Sequence, residues 1–282
     1  MRFIAIPLAL LAFVAQPAAA ASSPSLTSLE QQLSSMVANK SADVGIAALD
    51  LNTGETVSIK GNTPFPMAST VKVAIAALYL AQVDNGRRSL DDTINGQPVR
   101  LLMRKMLIHS DNRAADILFK DVGGPRAVHD WLSDNGVQGV RVDRTIAQLL
   151  SAKRDLWDRR DSATPVAMVD LLRKLYKGDL IKPESRNYLL NLMAQCQTGK
   201  NRMKWLLPSG TPVEHKTGTL DGLSDDVGFI TLPDGRRVAV AIFARGGGDR
   251  PRTIAETARA IYDGFKSVFA WPFGTPAAVA QQ

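Results

Sequence analysis

The sequence predicts an α/β (α+β) fold: an antiparallel sheet flanked by helices and built from both ends of the chain, with an all-α subdomain inserted between them. Three observations lead there. Strand pairs with turn signals occur near both ends, at Val44–Leu51 and Glu55–Lys60 around Asn52-Thr53-Gly54, and at Val227–Leu232 and Arg237–Ala244 around Pro233-Asp234-Gly235. From Val83 to about residue 205 the apolar spacing is mainly helical, broken by Asn- and Gly-containing turns. Helix patterns border the strand pairs: Leu26, Leu29, Leu33, Met36 and Val37 recur at helical spacing, and a last helix is expected from about Thr253 to Phe269.

At 282 residues and 45% hydrophobic, the chain has enough apolar material for one large core. A single domain is expected over 22–282, its α/β part at about 22–65 and 212–282 and its helical part at about 66–211. Thr63-Pro64-Phe65-Pro66 leads into Val71–Val83, a segment apolar nearly all round, as in a buried helix. Residues 1–21 read differently. Arg2, an apolar run from Phe3 to Ala15, and alanines around Ala19–Ala21 describe a secretory signal, so an exported, periplasmic or secreted bacterial protein is expected. The run is shorter than the roughly 20 residues that span a bilayer, so no stable membrane insertion is expected. The tail, Pro272–Gln282, is expected to be frayed.

The single Cys196 excludes an intramolecular disulfide and a Cys-based metal site, and is expected in or near the core. His109, His129 and His215 lack close metal-ligand spacing, so neither metal nor cofactor is expected. The net charge of +7 is spread among acidic residues without a basic block, which speaks against nucleic acid. A monomer acting on a small molecule is the expectation, its basic surface attracting carboxylate-bearing substrates.

Three short motifs carry chemistry. Ser69-Thr70-Val71-Lys72 opens the apolar helix, where positions three apart share a face and the Ser69 hydroxyl can meet the Lys72 amine. A serine needs a base to become a nucleophile, and a buried lysine with a lowered pKa can serve. The helix N-terminus adds positive potential. Ser110-Asp111-Asn112 follows the helical segment Val99–Ile108; Ser110 can pass a proton to a leaving group and the Asn112 amide can bind a substrate carbonyl. A second Ser-Asp-Asn, at 133–135, precedes Gly136 and reads as a helix stop. Lys216-Thr217-Gly218-Thr219 supplies a cation, two hydroxyls for a substrate carboxylate, and a glycine for close backbone approach. The backbone N–H groups of Ser69 and Thr219 can together form an oxyanion hole. Singly each motif is cheap; in this order they form the signature of serine β-lactamases and penicillin-binding proteins.

The resemblance extends beyond the triple. Phe65 to Lys72, Ile108 to Ala115 and Glu214 to Thr219 resemble the three motif segments of the class A β-lactamases. Arg141-Val142-Asp143-Arg144 and Arg160 to Pro165 resemble the ends of that family's Ω-loop, implying an Arg144–Asp161 ion pair at its neck. The resemblance covers essentially the whole mature chain. It implies catalytic roles for Ser69, Lys72, Ser110 and Lys216, and substrate binding by Asn112, Thr217 and Thr219.

The chain departs from the family in two places, and one family residue has several candidates here. The family's Ω-loop glutamate, which activates the water that releases the acyl-enzyme, falls two residues after the neck arginine. Counting from Arg144 puts Ile146 there, and counting back from Asp161 puts Gln148 there. Neither is a general base, and Asp143 and Asp155 are the nearest carboxylates in sequence. The stretch Leu90–Arg100 is shorter than its counterpart and lacks the aromatic residue that walls the cleft, implying a more open site. For the arginine that helps bind the substrate carboxylate, Arg245, Arg250 and Arg252 are all candidates.

The expected function is therefore β-lactam ring opening through an acyl-enzyme on Ser69, with slow or unconventional deacylation. A penicillin-binding D,D-peptidase or esterase is the first alternative. A binding or sensing module that keeps its β-lactam adduct is the second.

Overall fold

The two expected strand pairs join in one sheet. In the computed structural model, which describes residues 24–268, β1 (Asp43–Asp50) pairs antiparallel with β2 (Thr56–Ile59) on one side and with β9 (Arg237–Arg245) on the other. Beyond β9 lie β8 (Leu223–Thr231) and, at the edge, β7 (Val213–Leu220), again antiparallel. The expected export signal and C-terminal tail lie outside the described residues. Among those described, no helix is long and apolar enough to cross a membrane.

Alternation along the strands divides two cores. Val44, Ile46, Val238, Val240 and Ile242 face Leu26, Leu29 and Leu33 of α1 (Pro24–Ala38) and Ile254, Ile261 and Phe265 of α9 (Arg250–Val268). Ala47, Leu49, Ala239, Ala241 and Phe243 face the helical core. The sheet is covered on both faces, so β9 is buried along nearly its full length.

At the centre of the helical part stands α2 (Lys72–Asp84), buried from Lys72 to Ala81 as its all-round apolar sequence requires. Around it lie α3 (Val99–Ile108), α4 (Asn112–Asp121), α5 (Gly124–Asp134), α6 (Ile146–Ser151), α7 (Pro165–Lys177) and α8 (Pro183–Ala194). Two minor sheets complete the fold: β3 (Phe65–Pro66) with β6 (Ser162–Ala163), and β4 (Thr93–Ile94) with β5 (Gln97–Pro98). The β4–β5 turn is Asn95-Gly96, both at positive φ, the two-residue turn whose twist suits a hairpin.

The sequence misses β7 and the first half of β8. Glu214, His215, Lys216, Thr217, Ser224, Asp225 and Asp226 are polar yet buried, so no apolar alternation marks these strands. Their charges are largely met within the protein: His215 Nδ1 lies 2.7 Å from Asp226 Oδ1, and Arg237 pairs with Glu214.

Candidate active site

Ser69 sits one turn ahead of α2 proper, in a single 3-10 turn, Ala68–Val71, entered through Ala68 at a φ of 45°. The Thr70 N–H and hydroxyl both donate to the Met67 carbonyl, at 3.0 and 2.7 Å, and pin the turn. Lys72, fully buried, donates to the Ser110 carbonyl at 2.6 Å, to Asn112 Oδ1 at 2.7 Å and to Ser110 Oγ at 3.3 Å. Among the described residues the Lys72 amine makes no hydrogen bond to the Ser69 hydroxyl, so the direct pairing the spacing suggested is absent.

The second motif reaches Lys72 because Ser110 adopts a φ of 59°, an unfavourable conformation for a residue with a Cβ. Asp111 then caps α4, its carboxylate accepting from the Ala114 N–H at 2.6 Å, which projects Asn112 from the first helical position. The other Ser-Asp-Asn ends α5, with Gly136 at a φ of 70°, a helix stop as expected.

The third motif comes from the edge strand β7, which packs along the 68–71 turn. Lys216, also fully buried, donates to Ser110 Oγ at 2.9 Å. Gly218 is required by that approach: a Cβ there would lie 2.7 Å from the Met67 carbonyl oxygen and 2.7 Å from Asp225 Oδ2. Burial, with the neighbouring Lys216 charge, brings the Lys72 pKa down to about 7 against the pull of Asp111 and Asp116. Burial also lowers that of Lys216, to about 8, against the opposing charges of Cys196 and Asp226.

The arginine beside this motif is Arg202, which the sequence reading missed. From the turn after α8 it donates to the Gly218 carbonyl at 2.7 Å, the Asp225 carbonyl at 3.0 Å and Thr219 Oγ1 at 2.7 Å. The three arginines proposed from sequence are engaged elsewhere. Arg245 binds Asp43 and the Pro64 and Leu156 carbonyls and stacks on Phe65 and Trp157. Arg250 holds the Gly246 and Gly247 carbonyls, and Arg252 pairs with Glu256. Arg202 lies in irregular chain without a motif, and no sequence signal marked it. Thr217 Oγ1 contacts Thr198 Oγ1 at 2.5 Å.

Arg144 and Asp161 close the neck of the 144–161 segment at 2.5 Å. Asp161 Oδ1 also accepts from the Asp143 and Arg144 N–H groups, at 2.8 and 2.9 Å. Within the segment, Ile146 is buried in the helical core. Gln148 completes a capping box with Thr145, its Oε1 accepting from the Thr145 N–H at 2.9 Å. Asp143 serves Arg141, and Asp155 Oδ1 accepts from the Trp157 N–H. The carboxylate that meets this segment is Asp116, one turn along α4 from Asn112. Its oxygens accept from the Ile146 and Ala147 N–H groups at 2.7 and 2.9 Å. A groove of about 450 Å³ opens between α4, α6 and the β4–β5 turn, lined by Asn112, Ile117, Ala147 and Leu150 among others.

Comparisons with known proteins agree with this geometry. Residues 28–265 match the model of the β-lactamase enzyme family. The extended-spectrum β-lactamase PER-1 of Pseudomonas aeruginosa is 33% identical, over 83% of this chain and 86% of its own. The carbapenem-hydrolysing β-lactamase KPC of Klebsiella oxytoca is 28% identical, over 84% and 88%. The crystal structure of the TLA-3 extended-spectrum β-lactamase superimposes with a TM-score of 0.79 at 29% identity, covering 86% of this chain and 99% of that one.

Proposed function

The chain belongs to the class A β-lactamase family, and on that premise we propose that it opens β-lactam rings through an acyl-enzyme on Ser69. The observation that supports this most directly is the convergence of two buried amines on the Ser110 hydroxyl: Lys72, three residues after Ser69, and Lys216 of the third motif.

With a pKa of about 7, Lys72 is half neutral at neutral pH. It takes the Ser69 proton as Oγ attacks the lactam carbonyl carbon. The Ser69 and Thr219 backbone N–H groups hold the oxyanion. Collapse breaks the C–N bond, and the proton returns from Lys72 through Ser110 to the leaving nitrogen. Lys216, Thr217, Thr219 and Arg202 receive the substrate carboxylate. Asn112, its Oδ1 occupied by Lys72, keeps its amide N–H for the side-chain carbonyl of the substrate, and the groove beside it takes the rest of that side chain.

Release of the acyl group is slow in this reading. Ile146 and Gln148 offer no base, and both Asp116 oxygens are committed to backbone N–H groups. Loss of a placed general base costs about 10²–10⁴-fold. Mixing the purified protein with a chromogenic cephalosporin, and following colour and intact mass together, tests both halves. A stoichiometric burst and a persistent adduct, absent in Ser69→Ala, are expected. Fast sustained turnover overturns the slow release, and neither colour nor adduct overturns the whole reading. The same lack of a carboxylate at Ile146 and Gln148 favours, as a second reading, a D,D-peptidase or esterase. Release of D-alanine from a D-alanyl-D-alanine peptide would establish it.

A further inference from the structure

Outside the core, one face of α4 meets one face of α6. Arg113, Asp116, Ile117 and Lys120 stand at i, i+3, i+4 and i+7 on α4, so they share a face, and all four line the groove of about 450 Å³ beside Asn112. Opposite them, the six-residue α6 buries Ile146 and Leu149 and leaves Ala147 and Leu150, three apart, to line the groove. Asp116 sets the spacing of the two helices by accepting from the Ile146 and Ala147 N–H groups at 2.7 and 2.9 Å. The floor is apolar: Ile117 is half-buried, Ala147 is exposed and Leu150 is 48% exposed. A contiguous apolar surface of this kind beside a reaction centre marks a place where part of a ligand is covered.

The charges on its rim say what that part is. Arg113 and Lys120 lie seven residues, or about 10 Å, apart along α4. Among the described residues neither side chain makes a hydrogen bond or an ion pair. The neighbouring acids are already spent: Asp111 caps α4, Asp116 holds two backbone N–H groups, and Asp121 pairs with Arg88. The groove also joins the reaction centre through one residue, since Asn112, whose Oδ1 accepts from Lys72 at 2.7 Å, lines it. We propose that this groove is a subsite for the acyl side chain of the substrate, selecting side chains with a ring-sized apolar body that ends in a carboxylate.

The two parts of the selection have different physical origins. The apolar floor rewards a ring by removing it from water; half-covering an aromatic ring is worth about tenfold in affinity. The cations act on its far end. A guanidinium can take a carboxylate by two parallel hydrogen bonds, and a lysine adds a point charge. Both sit at the surface, so together they are worth only about two- to fivefold, and salt screens that share. A side chain ending in an ammonium meets the same two cations and is disfavoured. Asp116 is the one acid among the residues lining the groove, and its oxygens already accept from α6.

This selection rests on the proposed acylation of Ser69 for its rate readout but not for its binding readout. Second-order acylation rates are measured with four cephalosporins that share one chromogenic nucleus and carry acetyl, phenylbutanoyl, carboxyphenylbutanoyl or aminomethylphenylbutanoyl side chains. Phenylbutanoyl should exceed acetyl by about tenfold. Carboxyphenylbutanoyl should exceed phenylbutanoyl by about two- to fivefold and aminomethylphenylbutanoyl should fall below it, a spread that shrinks in about 0.5 M salt. In the double variant Arg113→Glu, Lys120→Glu the order of the two charged compounds should reverse, and Leu150→Asn should reduce the advantage of all three aryl compounds over acetyl. Acylation by every compound without preference for the aryl group overturns the subsite, and a charge order that survives the double variant overturns the role of the two cations. For binding, carboxyphenylbutyrate as the free acid should shift the amide NMR signals of Ala147 and Leu150 in the native protein, less so in the double variant; unshifted signals overturn the subsite. Should no compound acylate the native protein, the proposed function fails while this titration still decides the groove.

Discussion

Lys72 and Lys216 place their amines on one hydroxyl, that of Ser110, at 3.3 and 2.9 Å. Two amines so close cannot both hold their protons at ordinary values, and in the proposed chemistry Lys72 is the base and Lys216 the cation. Acylation should rise as pH passes about 7, where Lys72 becomes neutral, and fall as it passes about 8, where Lys216 loses its charge. Stopped-flow acylation across pH 5–10 should give this narrow bell. Lys72→Met should cost about 10²–10⁴-fold. In Lys216→Met the cation that lowers the Lys72 pKa is gone, so the acid limb should shift to higher pH.

Asp116 joins α4 to α6 by two backbone hydrogen bonds. Asp116→Ala leaves two N–H groups at a helix start without their acceptor, at a cost of about 1–3 kcal/mol. Asp116→Asn keeps one acceptor oxygen and should lose less, as read from urea midpoints. Because Asp116 supports the charged form of Lys72, both variants should also move the acid limb of acylation to lower pH.

The two ways of counting across the 144–161 segment make opposite forecasts. Ile146→Glu places a carboxylate where the buried Ile146 side chain now sits. If that is the position of the releasing base, the adduct lifetime should shorten by about 10²-fold or more, with stability lost through burial of the new carboxyl group. Gln148→Glu should fold normally, since glutamate also completes a capping box, and should leave the lifetime unchanged. Intact-mass time courses of the two acylated variants distinguish the alternatives.

Asp161 is held at a φ of 52° and binds the Arg144 side chain and two backbone N–H groups. Asp161→Ala removes every one of these acceptors and leaves Arg144 with Asp158 alone. A loss of about 3 kcal/mol is expected, visible as a lower Tm and as faster proteolysis between residues 144 and 161. Asp161→Asn, which can still accept the backbone N–H groups, should recover part of it.

Much of this architecture was legible from residue patterns. The turn-punctuated hairpin at β1 and β2, the all-apolar α2 and the bounds of α3 follow from periodicity alone. That Ser110 and Lys216 share one site was implied by the resemblance of the motifs to the β-lactamase family; their direct contact is seen only in the structure. What was not legible shares a physical cause. Arg202 acts through carbonyls of β7 and β8, and Asp116 through N–H groups about thirty residues away; neither contact leaves a periodic trace. β7 was hidden because its buried side chains are polar or charged and find their partners within the protein, so in sequence they look like a surface.

The sheet order has a consequence for how the protein is made. β1 lies between β2 and β9, and its eight-residue register with β9 joins positions about two hundred residues apart. A growing polypeptide that has not yet released β9 from the ribosome carries two unconnected hairpins, and the one bearing Lys216 is not joined to β1. Closure must wait for β9, which makes such a sheet slow to form. Chains truncated before Arg237 should therefore be captured by chaperones or degraded rather than accumulate as a partly active enzyme.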